Sequence, residues 1–103
     1  MSYLVANRIF LNAEYCAEFE QRMHNRAGQI NRQPGFQRFE ILKPQSEGTP
    51  YVVLTYWESE QDFQNWVGSE DFRLAHQNPM PREAVVESYL EKYEVIGSST
   101  ASD

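Results

Sequence analysis

The sequence predicts a single α+β domain in which one antiparallel β-sheet packs against helices. Segments with strand-like alternation and segments with helical spacing follow one another along the chain, and neither a long linker nor an internal repeat divides them. The length of 103 residues is typical of one domain, and 41% hydrophobic residues are enough to build a core. We assign the domain to residues 1–97 and expect the polar residues 98–103 to form a disordered tail.

The first strand is predicted at residues 3–10, a segment rich in β-branched and aromatic side chains that alternates in character. Asn12 is the expected N-cap of the first helix. Large apolar residues then recur at helical spacing, at Tyr15, Phe19, Met23 and Ile30. Pro34 and Gly35 are strong breakers and end this helix.

Three further strands are predicted from β-forming runs at residues 37–43, 51–57 and 85–96. The loop at residues 44–50 consists of turn-forming residues and separates the first two of these strands. The sequence therefore places two strands in direct succession in the middle of the chain.

Two short helices are predicted between the third and fourth strands. Ser59 is the expected N-cap of one helix, and Ser69, which follows the interruption at Gly68, is the expected N-cap of the other. The second helix reaches about His76, and the proline-containing segment 78–83 ends it.

The resulting order, β-α-β-β-α-α-β, is close to the split βαβ pattern of the ferredoxin-like fold. The third strand is unusual because it is apolar on both faces, with Tyr51, Val53, Thr55 and Trp57 on one and Val52, Leu54 and Tyr56 on the other. Helices on one side of the sheet cover one face only. We therefore expect a homodimer in which a second copy covers the other face by two-fold symmetry.

The charge and cysteine content exclude several classes of partner. A net charge of −6 makes nucleic acid and anionic membrane surfaces poor partners. Cys16 is the single cysteine, so an intrachain disulfide is not possible. The N-terminal segment resembles a strand rather than a signal peptide, and no apolar run reaches the length of a membrane span, so we expect a cytoplasmic location.

Several polar residues lie where the pattern predicts apolar surroundings. Asn7 shares a strand face with apolar residues, where a buried amide needs a hydrogen-bond partner. Asn7 is therefore either a structural amide with a partner inside the protein or a residue of a site. Arg26 falls within the apolar arc of the first helix and Arg22 lies at its edge, whereas His24 is on the opposite, solvated side. Either arginine can extend to solvent, or both can bind an anionic ligand.

Trp66 and His76 are the remaining candidates for a site. Trp66 shares a helix face with Phe63, and His76 shares one with Phe72, so both also suit a packed core. Imidazole is, however, a common protein ligand of heme iron. The residue pattern alone leaves both interpretations open.

Four stretches of the chain resemble one known family. They are NRI at residues 7–9, HNRAGQINRQPGFQRFEILKP at 24–44, YVVLTYWESEQDFQNWVGSEDFRLAH at 51–76 and the closing YEVI. Together they resemble the antibiotic biosynthesis monooxygenase domain over nearly the whole chain. Within that family they are most similar to the bacterial heme-degrading monooxygenases.

This resemblance implies a small homodimer in which two ferredoxin-like sheets close into an α+β barrel. It also implies a catalytic set of an asparagine on the first strand, a tryptophan and a histidine, which match Asn7, Trp66 and His76. His76 would bind the heme iron, Asn7 would act on the oxygen side, and Trp66 would press on the porphyrin. Heme would be both cofactor and substrate, opened with O₂ and an external electron donor, and iron would be released. Arg22 and Arg26 would pair with the heme propionates.

Two other functions are compatible with the same sequence. Some members of this family oxidise phenol-like or quinol-like aromatic molecules without a cofactor, and a pocket with Tyr and Trp side chains suits such flat substrates. The other function is a heme-binding module without turnover. The segment at residues 77–87 is short and contains prolines, whereas family members vary here in length and basicity. The sequence therefore does not predict how a ligand enters.

Overall fold

The computed structural model describes residues 2–101, except for the side chains of Arg26 and Ala27. Its elements, in chain order, are β1 (Tyr3–Leu11), α1 (Cys16–Ile30), β2 (Phe36–Leu42), β3 (Tyr51–Trp57), α2 (Glu60–Val67), α3 (Glu70–Ala75) and β4 (Val85–Glu94). Short 3-10 turns at Ala13–Tyr15 and Arg82–Ala84 precede α1 and β4. Part of the predicted C-terminal tail, residues 102 and 103, lies outside the described residues.

The four strands form one antiparallel sheet in the order β2-β3-β1-β4. Helix α1 joins β1 to β2, and α2 and α3 lie between β3 and β4 in the chain. The predicted ferredoxin-like arrangement is confirmed. β4 ends at Glu94, two residues before the predicted end of the strand, although the backbone N–H of Val95 still donates to the carbonyl of Ser2 at 2.8 Å.

The strand register defines an inner and an outer face of the sheet. On the inner face Asn7 is paired with Val53, and the core residues Val5 and Ile9 of the same strand pack against residues from the helices. On the outer face Ala6 is paired with Leu54. The outer face also carries half-exposed aromatic side chains of β4, such as Tyr89 at 48%. β3 therefore carries apolar side chains on both faces, as the sequence predicts, and the outer face of the sheet also carries charged side chains.

The core under the helices consists of two separate clusters. One contains Val5, Ile30, Trp57 and Trp66, and the other contains Ile9, Phe19, Met23 and Tyr51. On the inner face of β1, Asn7 lies between Val5 of the first cluster and Ile9 of the second. The inner face thus has a polar position at its centre, where packing changes from one cluster to the other.

The start of the first helix differs from the prediction. Asn12 precedes a 3-10 turn, not an α-helix, and its side chain makes no capping hydrogen bond. Its amide nitrogen instead donates to the carbonyl of Glu83, and its backbone N–H donates to the carbonyl of Ala84 at 2.9 Å. Tyr15 belongs to the same turn, so the buried stripe of α1 begins at Phe19. A tertiary contact with the segment before β4 has replaced the local cap.

Both predicted serine caps are confirmed. Ser59 accepts a hydrogen bond from the backbone N–H of Asp62 at the start of α2. Ser69 accepts one from the backbone N–H of Phe72 at the start of α3. Side-chain oxygens at these positions satisfy N–H groups that have no partner within the helix, so they define where each helix begins.

Candidate functional site

A cavity of about 440 Å³ lies between the sheet and the helices, with walls from both core clusters. Most of its lining is apolar, and the polar members among the described side chains are Asn7, Arg22, Thr55 and His76. A volume of this size is within the range of small-molecule sites, which typically span about 300–1,000 Å³ and contain few polar groups. The cavity therefore has the properties of a ligand site, since a packed interior has few voids much larger than a water molecule.

Asn7 lies on the sheet side of this cavity. It is half-buried and is paired through its backbone with Val53 on one side and Leu90 on the other. Among the groups that the structure describes, none forms a hydrogen bond with its side-chain amide. A central strand thus places Asn7 at the cavity wall.

Trp66 serves both the core and the cavity. It is 5% exposed and belongs to the cluster with Trp57, and it also lines the cavity. Its ring meets the ring of Phe72 edge-on, with centroids 5.3 Å apart. The two interpretations of this residue, core packing and pocket wall, are therefore compatible.

His76 lies at the C-terminal end of α3 and lines the cavity from the helix side. Its Nδ1 is 2.8 Å from the carbonyl oxygen of Phe72. Because a carbonyl can only accept, Nδ1 is the donor in this pair, and in the neutral form of the ring the lone pair is then on Nε2. The ring also stacks on that of Phe72, with centroids 4.0 Å apart. A backbone carbonyl is one of the partners, with carboxylates and water, that orient metal-binding histidines through the other ring nitrogen.

Arg22 lies at the edge of the cavity, with its side chain 27% exposed. Its Nε donates to Glu18 at 3.1 Å, and another guanidinium nitrogen donates to the carbonyl of Asn78. The guanidinium therefore joins α1 to the loop after His76. The side chain of Arg26, the other predicted anion-binding residue, lies outside the described residues, and His24 is exposed as predicted.

The loop at residues 77–81 contributes to the site in a way that the sequence did not predict. Its Pro79 and Met80 line the cavity, and Met80 also packs against the second core cluster. The prolines of this segment were a signal for a fixed loop conformation, but a loop has no periodicity from which to infer the direction of its side chains.

A hydrogen-bonded group behind the cavity involves Tyr51, a member of the second core cluster. Its hydroxyl donates to the carboxylate of Glu20, which also pairs with Lys43 at 3.3 Å. Burial and then the bond to Glu20 raise the pKa of Tyr51, whereas the bonds from Tyr51 and Lys43 hold the pKa of Glu20 below its ordinary value. Tyr51 is therefore a neutral phenol that supports the wall formed by Phe19, whose ring it meets at 5.1 Å.

Comparison with known proteins identifies the family of the chain. Residues 2–78 match the profile of the antibiotic biosynthesis monooxygenase family. The chain belongs to this family. The predicted family resemblance is thus confirmed, and the heme-degrading proteins described next are among its relatives.

One curated relative is a staphylobilin-producing heme oxygenase from Staphylococcus epidermidis, 30% identical over 100 residues that cover 93% of this chain and 95% of that protein. Among solved structures, the heme degrader MhuD from Mycobacterium tuberculosis, with two hemes bound in its active site, is 29% identical. It has a TM-score of 0.78 and covers 95% of this chain and 99% of its own. SnoaB from Streptomyces nogalater, a cofactor-independent oxygenase, is 22% identical with a TM-score of 0.77 over 94% of this chain and 95% of its own. This last similarity shows the fold alone.

No helix within residues 2–101 is long and apolar enough to cross a membrane. No group of three or more His, Cys, Asp or Glu side chains in the same part of the chain is arranged to hold a metal ion.

Proposed function

We propose that this member of the antibiotic biosynthesis monooxygenase family is a heme-degrading monooxygenase, which opens the heme ring with O₂ and electrons from an external donor and releases iron. The observation that carries the proposal is that Asn7, Trp66 and His76 line one cavity, with the Nδ1 of His76 paired to a carbonyl. The heme oxygenase and MhuD relatives support it.

The residues of the cavity fit heme as a substrate. A porphyrin presents two large apolar faces, and the cavity offers aromatic and aliphatic walls from both core clusters. The carboxylates of heme are charged, and the guanidinium of Arg22 is at the cavity edge. When heme is bound, its iron supplies the site at which O₂ is activated.

His76 and Asn7 act from opposite sides of the cavity in this proposal. His76 binds the iron through Nε2 from the helix side, because its Nδ1 is committed to the carbonyl of Phe72. Asn7 lies on the sheet side of the cavity and would offer its amide as a hydrogen-bond partner to the reacting oxygen. An amide does not titrate, so it offers a donor and an acceptor at every physiological pH.

Trp66 acts as a rigid wall against the porphyrin. Its ring is buried against Trp57 and Phe72, so it cannot yield easily when a planar ligand enters. Trp66 would press on a bound porphyrin from this side of the cavity.

Arg22 and Arg26 bind the heme propionates. A propionate at the cavity edge competes with Glu18 for the guanidinium of Arg22, since both are carboxylates. Arg26 follows Arg22 by four positions in the sequence and is the second residue proposed to pair with a propionate.

The active form is a homodimer located in the cytoplasm. The outer face of the sheet carries large apolar side chains that the helices of the same chain do not cover, including Leu54 and the half-exposed Tyr89 and Tyr93. A second copy placed by two-fold symmetry covers them and closes an α+β barrel. Residues 1–97 form the folded unit of each copy.

Titration with hemin tests the proposal. We expect a histidine-ligated Soret band that saturates at a fixed ratio of hemin to protein, and decay of that band when ascorbate is added under air, with iron released to a chelator. Decay that is equal in a protein-free hemin control contradicts the proposal. A stable Soret band that does not decay identifies instead a heme-binding module without turnover.

A cofactor-free monooxygenase that oxidises a phenol-like or quinol-like molecule is the second candidate. The observation that favours it is the aromatic lining of the cavity, where Phe39, Phe63 and Phe72 join Trp66. Such a wall also suits a flat organic substrate. In that case hemin produces no Soret shift, and O₂ is consumed with the aromatic substrate alone.

A further inference from the structure

We propose that Ser69 is a positioning residue that, through Phe72, fixes His76 relative to Trp66. The inference rests on the proposed function for its effect on heme, but the geometry behind it concerns the protein alone. Ser69 lies at the junction of α2 and α3, outside the set of residues assigned to heme.

The hydroxyl of Ser69 joins the two helices. Its Oγ donates to the carbonyl of Trp66 at 2.7 Å and accepts from the backbone N–H of Phe72 at 3.1 Å. A serine hydroxyl has one donor and two acceptor positions, so a single side chain can make both bonds. The end of α2 that carries Trp66 is thereby tied to the start of α3.

Phe72 continues this link to His76. Its carbonyl accepts from the backbone N–H of His76 at 3.1 Å and pairs with Nδ1 at 2.8 Å. Its ring stacks on His76 with centroids 4.0 Å apart and meets Trp66 edge-on at 5.3 Å. Phe72 is therefore joined to both proposed heme-contacting residues, through its backbone and through its ring.

The two helices need such a link because they are short. α2 has eight residues and α3 has six, and helices of this length are marginal without tertiary support. A rotation of α3 against α2 would separate the hydroxyl of Ser69 from the carbonyl of Trp66 and would move His76 relative to Trp66. A displacement of about 1 Å in a reacting group can lower a rate about a hundredfold, so this junction bears directly on turnover.

Ser59 provides a matched control. It caps α2 through the backbone N–H of Asp62 at 3.2 Å, and its hydroxyl donates to the Asp62 carboxylate at 2.8 Å. Ser59 thus has the same capping chemistry as Ser69, but both of its bonds stay within one helical turn. Ser59→Ala and Ser69→Ala should each lower Tm by a similar amount, about 4–8 °C, because each removes one helix cap.

A second variant at Ser69 separates the cap from the link. Asp is as good an N-cap as Ser, because its carboxylate accepts the same N–H bond. It cannot donate to the carbonyl of Trp66. Ser69→Asp should therefore keep Tm near that of the wild type and lose the link, whereas Ser69→Thr keeps both functions of the hydroxyl.

The first measurement uses the protein without heme. Nitrogen-15 NMR of the imidazoles should show His76 as the Nδ1–H tautomer in the wild type. The chain has two histidines, so the variant His24→Gln leaves only the signals of His76 and thereby assigns them. We expect Ser69→Ala and Ser69→Asp to shift His76 toward a mixture of tautomers, while Ser59→Ala and Ser69→Thr do not. Equal His76 spectra in Ser69→Asp, Ser59→Ala and the wild type overturn the inference, whatever the protein does with heme.

The second measurement uses the hemin complex. In Ser69→Ala and Ser69→Asp we expect the iron–histidine stretching frequency to change and the ascorbate-driven Soret decay to slow about tenfold. Loss of a group that orients a metal ligand typically lowers activity about 10- to 100-fold, and this estimate is at the low end. Ser69→Thr should restore both values. If the wild type binds no hemin but the tautomer shift is present, the proposed function fails and the positioning role of Ser69 stands. If all variants decay at the rate of the wild type, the proposed function stands and the positioning role is overturned.

Discussion

Val53 and Leu54 are consecutive residues of β3 that lie on opposite faces of the sheet. Val53 is paired with Asn7 and lines the cavity, whereas Leu54 is paired with Ala6 on the outer face. A charge at each position therefore tests a different surface. We expect Leu54→Asp to dissociate the homodimer, because the carboxylate would be desolvated between two sheets. Val53→Asp should preserve the dimer and weaken hemin binding. Light scattering should give about twice the chain mass of 12.1 kDa for the wild type and for Val53→Asp.

A wild-type mass near 12 kDa at micromolar concentration would contradict the dimer. A monomeric Val53→Asp beside a dimeric Leu54→Asp would show that the faces have been assigned the wrong way round.

Replacement of His76 by Ala removes the proposed iron ligand. His76 is half-buried at the end of a short helix, so the fold should survive the truncation. We expect the histidine-ligated Soret band to be lost and turnover to fall more than about a hundredfold, beyond the effect of removing a group that only orients a ligand. Absorption of the ferric complex and its decay with ascorbate under air measure both effects. His24→Ala is the control, since His24 is exposed on the far side of α1, and a wild-type spectrum in His76→Ala would refute the assignment.

Asn7→Ala should separate binding from turnover. The amide is on the sheet side of the cavity, away from the proposed iron ligand, so the ferric spectrum should remain that of the wild type. We expect the decay rate to fall about 100- to 1,000-fold, the usual effect of removing one preorganised hydrogen bond to a reacting oxygen. Single-turnover decay with ascorbate provides the measurement. A changed Soret band in this variant would mean that Asn7 acts on heme binding instead.

Trp66 requires a conservative substitution because it also belongs to the core. Trp66→Ala should cost about 3–5 kcal/mol, a large part of the total stability of a small domain. Trp66→Phe keeps an aromatic ring against Trp57 and Phe72 and should remain folded. We expect this variant to bind hemin and to degrade it several-fold more slowly. Thermal unfolding and Soret decay test the two roles separately, and an unchanged decay rate would show that Trp66 is only a core residue.

Glu20 should make the stability of the domain depend on pH. Hydrogen bonds from Tyr51 and then from Lys43 hold its pKa below the ordinary value of 4.5. A carboxylate with a lowered pKa stabilises the fold above its unfolded pKa, and this contribution is lost as the pH falls through the folded pKa. We expect Glu20→Gln to destabilise the protein at about pH 7 and to have little effect well below about pH 4. Denaturant unfolding at the two pH values measures the difference.

Tyr51→Phe is the companion variant, since it removes the main donor to Glu20. It should reproduce part of the same pH dependence. An equal loss of stability at both pH values in Glu20→Gln would argue against a charged Glu20 as the stabilising form.

The sequence by itself determined the order of the elements and the face on which each strand residue lies. Alternation with a period of two decides which side of a strand a residue occupies, so Asn7 could be placed with the apolar face of β1 before any contact was known. The serine caps at Ser59 and Ser69 were predictable for a similar reason, because each bond spans three residues. The family resemblance supplied the set of Asn7, Trp66 and His76, which periodicity alone did not distinguish from core residues.

Tertiary structure alone decided that the core divides into two clusters and that the cavity lies between them. It decided the partner of Nδ1 in His76, since that partner depends on the rotation of the ring at the end of α3. It also moved Asn12 from a helix cap to a contact with Glu83, and it joined Arg22 to Asn78. These contacts link residues more than 50 positions apart, and such pairs depend on the packing of whole elements. A local sequence pattern shows the periodicity of apolar residues and the positions of helix-breaking or strand-breaking residues, but it does not show which distant residues come into contact.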